Sequence, residues 1–483
     1  MSNYTVPDVY VEEIPTLPPS VAAVETALPA FIGYTQHRRD AEGAELAADS
    51  VQRIASLPEF EARYGRGAVP TVTAVEVDAN GAFLHAELTQ TYFLYDAVRL
   101  FYANGGGECF IVSVGSSGFP AAPVESELAS GLDAVALWDE PTLLVCPDAV
   151  SLQTAPGDTG LYALADRALS QCEALGDRMA ILDMDPADPT GTDFRDNTGT
   201  VGLKYGAAYA PQLLAALPKR IGAGDLGNDI FLRDGVPVSI LSDVLTDAPA
   251  SLVTDVTGAA DAAARATAEA ALRAQSATYR GILRGLNATA VAVPPSGAVA
   301  GLYAFVDDRF GVWRSPANFS ISGIVGTDYD FTRGEKARLN VDAVSGKSIN
   351  AIRVFPGKGT LVYGGRTLAG NSGEYTFIHV RRLMNMIEES IKKASLQFVF
   401  EPNSAATWVR LQAMISNFLH LQWRGGAFLG ATPEQSYRVD VGLGKTMSID
   451  DVNSGRMIIE IAARPVGVAE IIYIRYVQEN LTA

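Results

Sequence analysis

Two places carry the end of a phosphate-binding loop, Gly346-Lys347-Ser348 and Gly444-Lys445-Thr446. That chemistry needs a further glycine five residues ahead, so that successive backbone amides can close on phosphate oxygens. Val341 and Val439 stand there, so neither segment qualifies. Gly105-Gly106-Gly107 would cradle a phosphate only between a strand and a helix. Here it follows a helical pattern and precedes an apolar run, so it reads as a helix stop. Asp183 and Asp185 end another apolar run, a common place for carboxylate ligands, but Pro186-Ala187-Asp188-Pro189 reads equally as a solvated turn. His37, His85, His379 and His420 form no H-x-x-x-H or H-E-x-x-H pair, as a zinc site would need. No G-x-S-x-G elbow occurs, and Cys146 has no nucleophile signature around it and reads as a small buried hydrophobe. Arg381-Arg382 and Lys392-Lys393 lie 11 residues apart, about three helical turns. They form either a solvated face or a basic face that meets an acidic partner. No catalytic, cofactor-binding or metal site is expected.

The elements that could position such groups come from a chain of 483 residues, long enough for about three domains. Hydrophobic residues make up 48% and charged residues 19%, a composition that buries a large core and excludes global disorder. The net charge is −18, against a general nucleic-acid binder. It is unevenly placed. Residues 341–483 hold 15 Lys/Arg and 12 Asp/Glu, a net of +3, leaving 22 and 43 in residues 1–340, a net of −21. Three wide-spaced cysteines, Cys109, Cys146 and Cys172, form neither a disulfide framework nor a zinc set and suggest reducing cytoplasm. Met1–Pro7 has no basic and apolar leader pattern, so no signal peptide is expected. The 22 uncharged residues between Arg284 and Asp307 could span a bilayer by length, but Pro294-Pro295 would break a spanning helix. Buried strand and turn is the expectation there.

Apolar runs predict strands at Ala30–Tyr34, Cys109–Val114, Leu143–Cys146 and Met179–Asp183, with helices over Thr91–Ala103 and Gly160–Ala174. This is α/β grammar, mixed with α+β elements elsewhere. Asp185–Asn197 reads as a polar turn region. Val69–Glu87 reads as a hairpin turning at Asn80-Gly81, and 215–290 as an insertion containing an Ala-rich stretch, Ala259–Ala277, that should be helical. Further helices are expected at Val380–Ala394 and Ala405–Leu421, and strands at Tyr437–Val441 and Met457–Ala462. Near the start, Val9, Tyr10, Val11 and Glu12 make a short strand before a proline-rich tether, with no local partner. The run Ile471, Ile472, Tyr473, Ile474, Arg475, Tyr476, Val477 is apolar on both faces, an association hazard unless association is its purpose.

Several segments in order resemble contractile tail sheath proteins. Pro294-Pro295-Ser296-Gly297-Ala298-Val299-Ala300-Gly301 leads to Asp307-Asp308-Arg309-Phe310-Gly311-Val312-Trp313-Arg314-Ser315-Pro316-Ala317-Asn318. Leu339-Asn340, Ile349–Arg353, Gly364–Leu368, Val380–Leu383, Trp423–Gly430 and Pro465–Glu470 follow. Earlier stand Pro7–Glu13, with Asp8 where the family usually has glycine, and Tyr102–Gly107. The resemblance implies a multi-domain α/β sheath subunit: an N-terminal linker arm (1–25), outer sheath domains (26–340) with insertions near 66–90 and 215–290, an inner assembly domain (341–464) and a C-terminal strand arm (465–483). It implies a subunit that polymerises helically, in rings that are commonly six-fold, around an inner tube and contracts to drive that tube through a target membrane. Arm strands Val9–Glu12 and Ile471–Val477 would be lent to neighbouring subunits, and Arg381, Arg382, Lys392 and Lys393 could face the tube. Implied partners are further copies, the inner tube protein, baseplate and cap proteins and paralogous sheath subunits, with no nucleic acid, no membrane insertion and no cofactor. Assembly would be cytoplasmic, into a phage-tail-like particle. The opening "EIPTLPPSV" resembles the injection-system and bacteriocin branch more than phage tails. Without the resemblance, the residues leave open a static filament or shell protein, or a soluble α/β enzyme.

Overall fold

The computed structural model describes residues 21–153, 157–371 and 373–467. The arm strands expected at Val9–Glu12 and Ile471–Val477 lie outside the described residues. By compactness the described residues divide into two units, the first with Met386–Gly467 and residues 21–24, the second with Glu25–Asn385. The division falls well beyond the boundary expected near 340. The reason is that Ile349–Phe355 pairs parallel with Gly206–Ala210 and so belongs to the larger unit's main sheet.

That sheet has nine strands, in the order Phe319–Ser320, Gly359–Val362, Ile349–Phe355, Gly206–Ala210, Met179–Asp183, Leu143–Val145, Pro29–Gly33, Cys109–Ser113, Val51–Ile54. The six strands from Ile349–Phe355 to Cys109–Ser113 run parallel, and the outer ones are antiparallel. Alternate residues point to opposite faces of a strand. Ala30, Ile32, Leu144 and Ala180 therefore join one core, with helices Glu125–Val135 and Gly160–Leu175. Phe31, Leu143, Val145 and Ile181 join the other, with helices Leu94–Ala103 and Ser296–Phe310. This is the doubly covered sheet that near-continuous apolar strands require.

The two insertions, far apart in sequence, fold together. Thr71–Val77 and Phe83–Thr89 form the expected hairpin, with Gly81 at φ +84°, and Phe231–Arg233 adds in parallel to the first of these strands. Val75, Val77, Phe231, Val256, Tyr279 and Ile282 share a third core. The Ala-rich stretch is helical, as expected, over Ala262–Gln275, and a second helix, Ala277–Ala288, follows it. Ala262–Gln275 stops at Ser276, whose hydroxyl donates to Asp247 (2.5 Å) and accepts from Tyr279 N (2.9 Å), capping Ala277–Ala288. A short helix, Thr192–Asn197, interrupts the expected polar turn. The uncharged segment is strand Val291–Val293 followed by the buried helix Ser296–Phe310 rather than a turn. Prolines just before a helix are tolerated because the first-turn amides have no intrahelical partner. Among the described residues no helix is long and apolar enough to cross a membrane.

In the smaller unit, helix Ala405–Arg424 buries Leu411, Met414, Ile415, Phe418 and Leu419. It packs on the antiparallel ribbon of Tyr437–Val441 and Ile459–Ala463, where Gln412 Nε2 donates to Val439 O (2.7 Å).

Candidate assembly surface

The groups that could have done chemistry are engaged in holding the fold. Lys347 is buried, its ammonium donating to Arg195 O (2.7 Å) and Thr198 O, and burial holds its pKa below the ordinary lysine value. Thr446 Oγ1 donates to Ile458 O (2.7 Å) across the ribbon's loop. Gly105, at φ +97°, ends helix Leu94–Ala103 as a glycine stop should. Among the described residues no group of three His, Cys, Asp or Glu could hold a metal ion. Burial pushes the Cys146 thiol well above its ordinary value, away from the thiolate a nucleophile needs.

Asp183 is different, because it ends a parallel strand at the edge where α/β enzymes place their sites. Its carboxylate accepts from Ser296 N (2.9 Å) and Ser296 Oγ (2.5 Å), capping helix Ser296–Phe310. Asp185 accepts from Ala187 N (2.9 Å) within its own turn. Asp148, which sequence reading missed because no local pattern marks it, does the same work beside Asp183's strand. It accepts from Tyr34 N (2.8 Å), Phe93 N (2.5 Å) and Leu94 N (3.0 Å). Burial raises Asp183 to about 7 and Asp148 to about 6, against an ordinary 3.8, despite these hydrogen bonds. The folded state therefore holds protons that the unfolded chain has released. The resulting stabilisation is complete below about pH 4 and is lost as pH rises to about 7, at no more than about 1.4 kcal/mol per pH unit per group. Asp183→Asn, which mimics the protonated side chain, is expected to flatten this fall in melting experiments between pH 4.5 and 7.5. An unchanged pH slope would mean that Asp183 is not the titrating group.

Segments that resemble the sheath pattern meet in the larger unit. Gly297 and Gly301 lie one turn apart where helix Ser296–Phe310 crosses Leu94–Ala103. A Cβ on either would fall 2.4 Å from Ala97 O or Phe101 O. Asn104 Nδ2 donates to Ser322 O (3.2 Å), and Ser322 N donates back to Asn104 Oδ1 (2.8 Å). Asn350 bridges Ala208 O (3.1 Å) and both backbone groups of Arg366 (2.8 Å each). Asp307 and Arg382 form a buried two-point ion pair (2.9 and 2.5 Å), with the guanidinium 4.5 Å from the Tyr303 ring centre. Both groups also hold Thr26: Arg382 Nη2 donates to Thr26 O (2.8 Å), and Thr26 Oγ1 donates to Asp307 (2.5 Å).

The four basic residues expected on one face have different surroundings. Arg381 is buried, its Nε on Asn385 (2.6 Å) and its guanidinium 4.5 Å from the Tyr375 ring centre. Arg382 is buried as described. Lys392 and Lys393 keep their side chains 67% and 41% exposed, within 3.1 and 3.4 Å of Glu389. Helical spacing sets direction, but cover changes along Ile378–Ser395, whose start lies in the larger unit and whose end lies in the smaller.

The smaller unit's ribbon has only two described strands. Among the described residues neither strand pairs with a further strand, although Gln412 Nε2 covers Val439 O on one outer edge. Nine of the 24 exposed large hydrophobic residues among those described fall in Met386–Gly467, including Phe400, Val409, Leu421 and Ile449. That is a high density for under a fifth of the chain.

Comparison with known proteins agrees. The profile of the phage tail sheath C-terminal domain matches residues 371–479, which includes the ribbon. The tail sheath protein of Vibrio phage KVP40 is 31% identical over 140 residues, 28% of this chain. The chain spans only a fifth to a quarter of the curated relatives it matches. The anti-feeding prophage helical sheath in its contracted state is similar over 98% of this chain and 99% of its own, at 26% identity and a TM-score of 0.61. The contracted sheath complex of the extracellular contractile injection system PVC shares the fold over 99% of both chains, at 23% identity and a TM-score of 0.60. The C-terminal match and the likeness to sheath structures over nearly the whole chain support a structural sheath subunit. The C-terminal part of the chain thus matches a tail sheath domain, and the chain as a whole is similar in fold to contractile sheath proteins.

Proposed function

We propose that this chain polymerises helically around an inner tube and contracts to drive the tube through a target membrane, without enzymatic chemistry. The observation that carries this reading is the open ribbon of Tyr437–Val441 and Ile459–Ala463. The ribbon rests on helix Ala405–Arg424, and an edge without a neighbouring strand accepts a further one through main-chain hydrogen bonds. The segments Val9–Glu12 and Ile471–Val477 are strand-like in sequence and suit that role as arms lent between copies. Contacts that join unlike surfaces without closing generate a helical filament. Energy for contraction would be stored at assembly, in an extended lattice that is kinetically trapped. Subunits would move as rigid bodies while the arms keep them linked. Lys392 and Lys393 remain candidates for the tube-facing surface. An inner tube, a baseplate and a cap are the partners this mechanism requires.

Negative-stain electron microscopy of the protein expressed alone tests this. Wide, ridged, hollow tubes are expected, and deleting residues 1–20 should leave a folded monomer that does not polymerise. Discrete particles, alone and on co-expression with the tube protein, would overturn the reading. Normal tubes from the deletion would sink the arm mechanism.

A further inference from the structure

The two stretches that build the third core, 71–89 and 221–288, join the main sheet's part of the larger unit by four crossings, 65–70, 90–93, 216–220 and 289–290. A cleft of about 80 Å³ lies among them. Residues of the first three crossings line it, and Lys219 in its wall donates to Thr289 O in the fourth and to Leu217 O (3.3 Å). The wall carries four cations, Arg66, Arg99, Lys219 and Arg220. The two carboxylates that engage them are both occupied. Glu61 accepts from Arg66 Nε (3.0 Å) and Tyr95 OH (2.5 Å), and Asp96 accepts from Arg99 Nη1 (3.2 Å) and Gln90 Nε2 (2.7 Å). The cleft therefore keeps a surplus of two positive charges, within a stretch, residues 1–340, whose net is −21. Donors are left over as well. An ammonium has three and Lys219 uses two, while Arg66 Nη1 and Arg99 Nη2 have no hydrogen-bond partner among the described residues. Arg220 is exposed and forms no ion pair among the described residues. Holding the crossings together accounts for the carbonyl bonds of Lys219 and for Arg99 Nη1 on Pro218 O (3.2 Å). It does not account for the surplus charge, because carbonyls accept from neutral donors equally well. Burial holds Lys219 below the ordinary lysine pKa, as it does a cation without a full counter-charge.

We propose that this cleft binds a phosphate-class oxyanion, which bridges the crossings and fixes the insertions against the main sheet. Guanidinium forks and an ammonium are the groups that recognise such oxygens. Size limits the ligand. A single water needs about 10–15 Å³ of such space, so the cleft holds a few waters, or one or two phosphate groups. The site is independent of how the chain assembles.

Calorimetric titration of the full-length protein with inorganic pyrophosphate, at an ionic strength held constant with chloride, tests this in wild type, Arg220→Ala and Arg333→Ala. Arg333 is an exposed arginine outside the cleft, at the start of helix Arg333–Asn340. Wild type and Arg333→Ala are expected to bind one equivalent with equal affinity. Arg220→Ala should bind about tenfold more weakly, the loss of one charge-assisted contact, while melting like wild type in the absence of ligand. Pyrophosphate should also slow hydrogen exchange at 66–70 and 217–220 in wild type, which mere screening of surface charge would not do. No binding by wild type at millimolar pyrophosphate would overturn the site. Equal affinity in all three chains, or equal weakening in both variants, would place the anion elsewhere and overturn it too. Binding that leaves exchange in the crossings unchanged would overturn the bridge.

Discussion

Gly297→Ala is expected to destabilise the larger unit by about 3 kcal/mol or more, at or above the upper end for overpacking, and to remove most folded protein from expression. Alanine is the better helix former, worth about 1 kcal/mol in an exposed helix, so the sign depends on space. The added Cβ would stand 2.4 Å from Ala97 O and 2.5 Å from Ala97 Cα. Those are backbone atoms of helix Leu94–Ala103, which no side-chain rotation can move. The two helices must separate, and Val98, Phe101, Val299 and Tyr303, all buried, lose packing along the seam. Gly281→Ala is the control, since in helix Ala277–Ala288 nothing lies within 4 Å of its new Cβ. The same chemical change there should stabilise by up to about 1 kcal/mol. Urea melts of both variants decide the matter, and similar midpoints would mean that the helix crossing is looser than described.

That contrast shows what could be read from sequence and what could not. The strands Pro29–Gly33, Cys109–Ser113 and Met179–Asp183 announce themselves as apolar runs, and Asn80-Gly81 announces its hairpin, because these signals are local. Gly297 and Gly281 look alike in sequence, and only the crossing helix separates them. The pairing of Phe231–Arg233 with Val75–Val77 joins segments far apart, through a core that neither could complete alone. The break at Ser276 depends on Asp247, and Asp148 serves a helix start and a strand that precede it in the chain. Arg381 and Lys392 share a helical face, but the elements that cover one and not the other are long-range. The assembly surface was legible in another way. The sequence expects arm strands at Val9–Glu12 and Ile471–Val477, and the ribbon of Tyr437–Val441 with Ile459–Ala463 is their proposed acceptor.

Arg382→Ala is expected to cost about 3–5 kcal/mol, the range for breaking a buried ion pair from one side. The Asp307 side chain is only 7% exposed and would keep the Thr26 hydroxyl as its remaining partner of this trio. Replacing both charges together, as Arg382→Met with Asp307→Leu, should recover most of the melting temperature, because paired desolvation largely cancels the Coulombic gain. Stability therefore does not explain why the pair is there. Its geometry offers another reason: both members grip Thr26, one at the carbonyl and one at the hydroxyl. Thr26 is the first residue beyond the proposed arm, and with the neighbouring Glu25–Arg53 ion pair it ties the start of the larger unit to the rest of that unit, so part of any pull on the arm is carried there. A charged clamp made of directional hydrogen bonds resists that pull, whereas apolar packing of equal free energy lets the chain slide. The double variant is thus expected to melt like wild type but to form tubes that are shorter and fragment under shear. Tubes of wild-type length and strength from it would show that the arm is held elsewhere. Short tubes from a normally melting subunit would assign the ion pair to load rather than to folding.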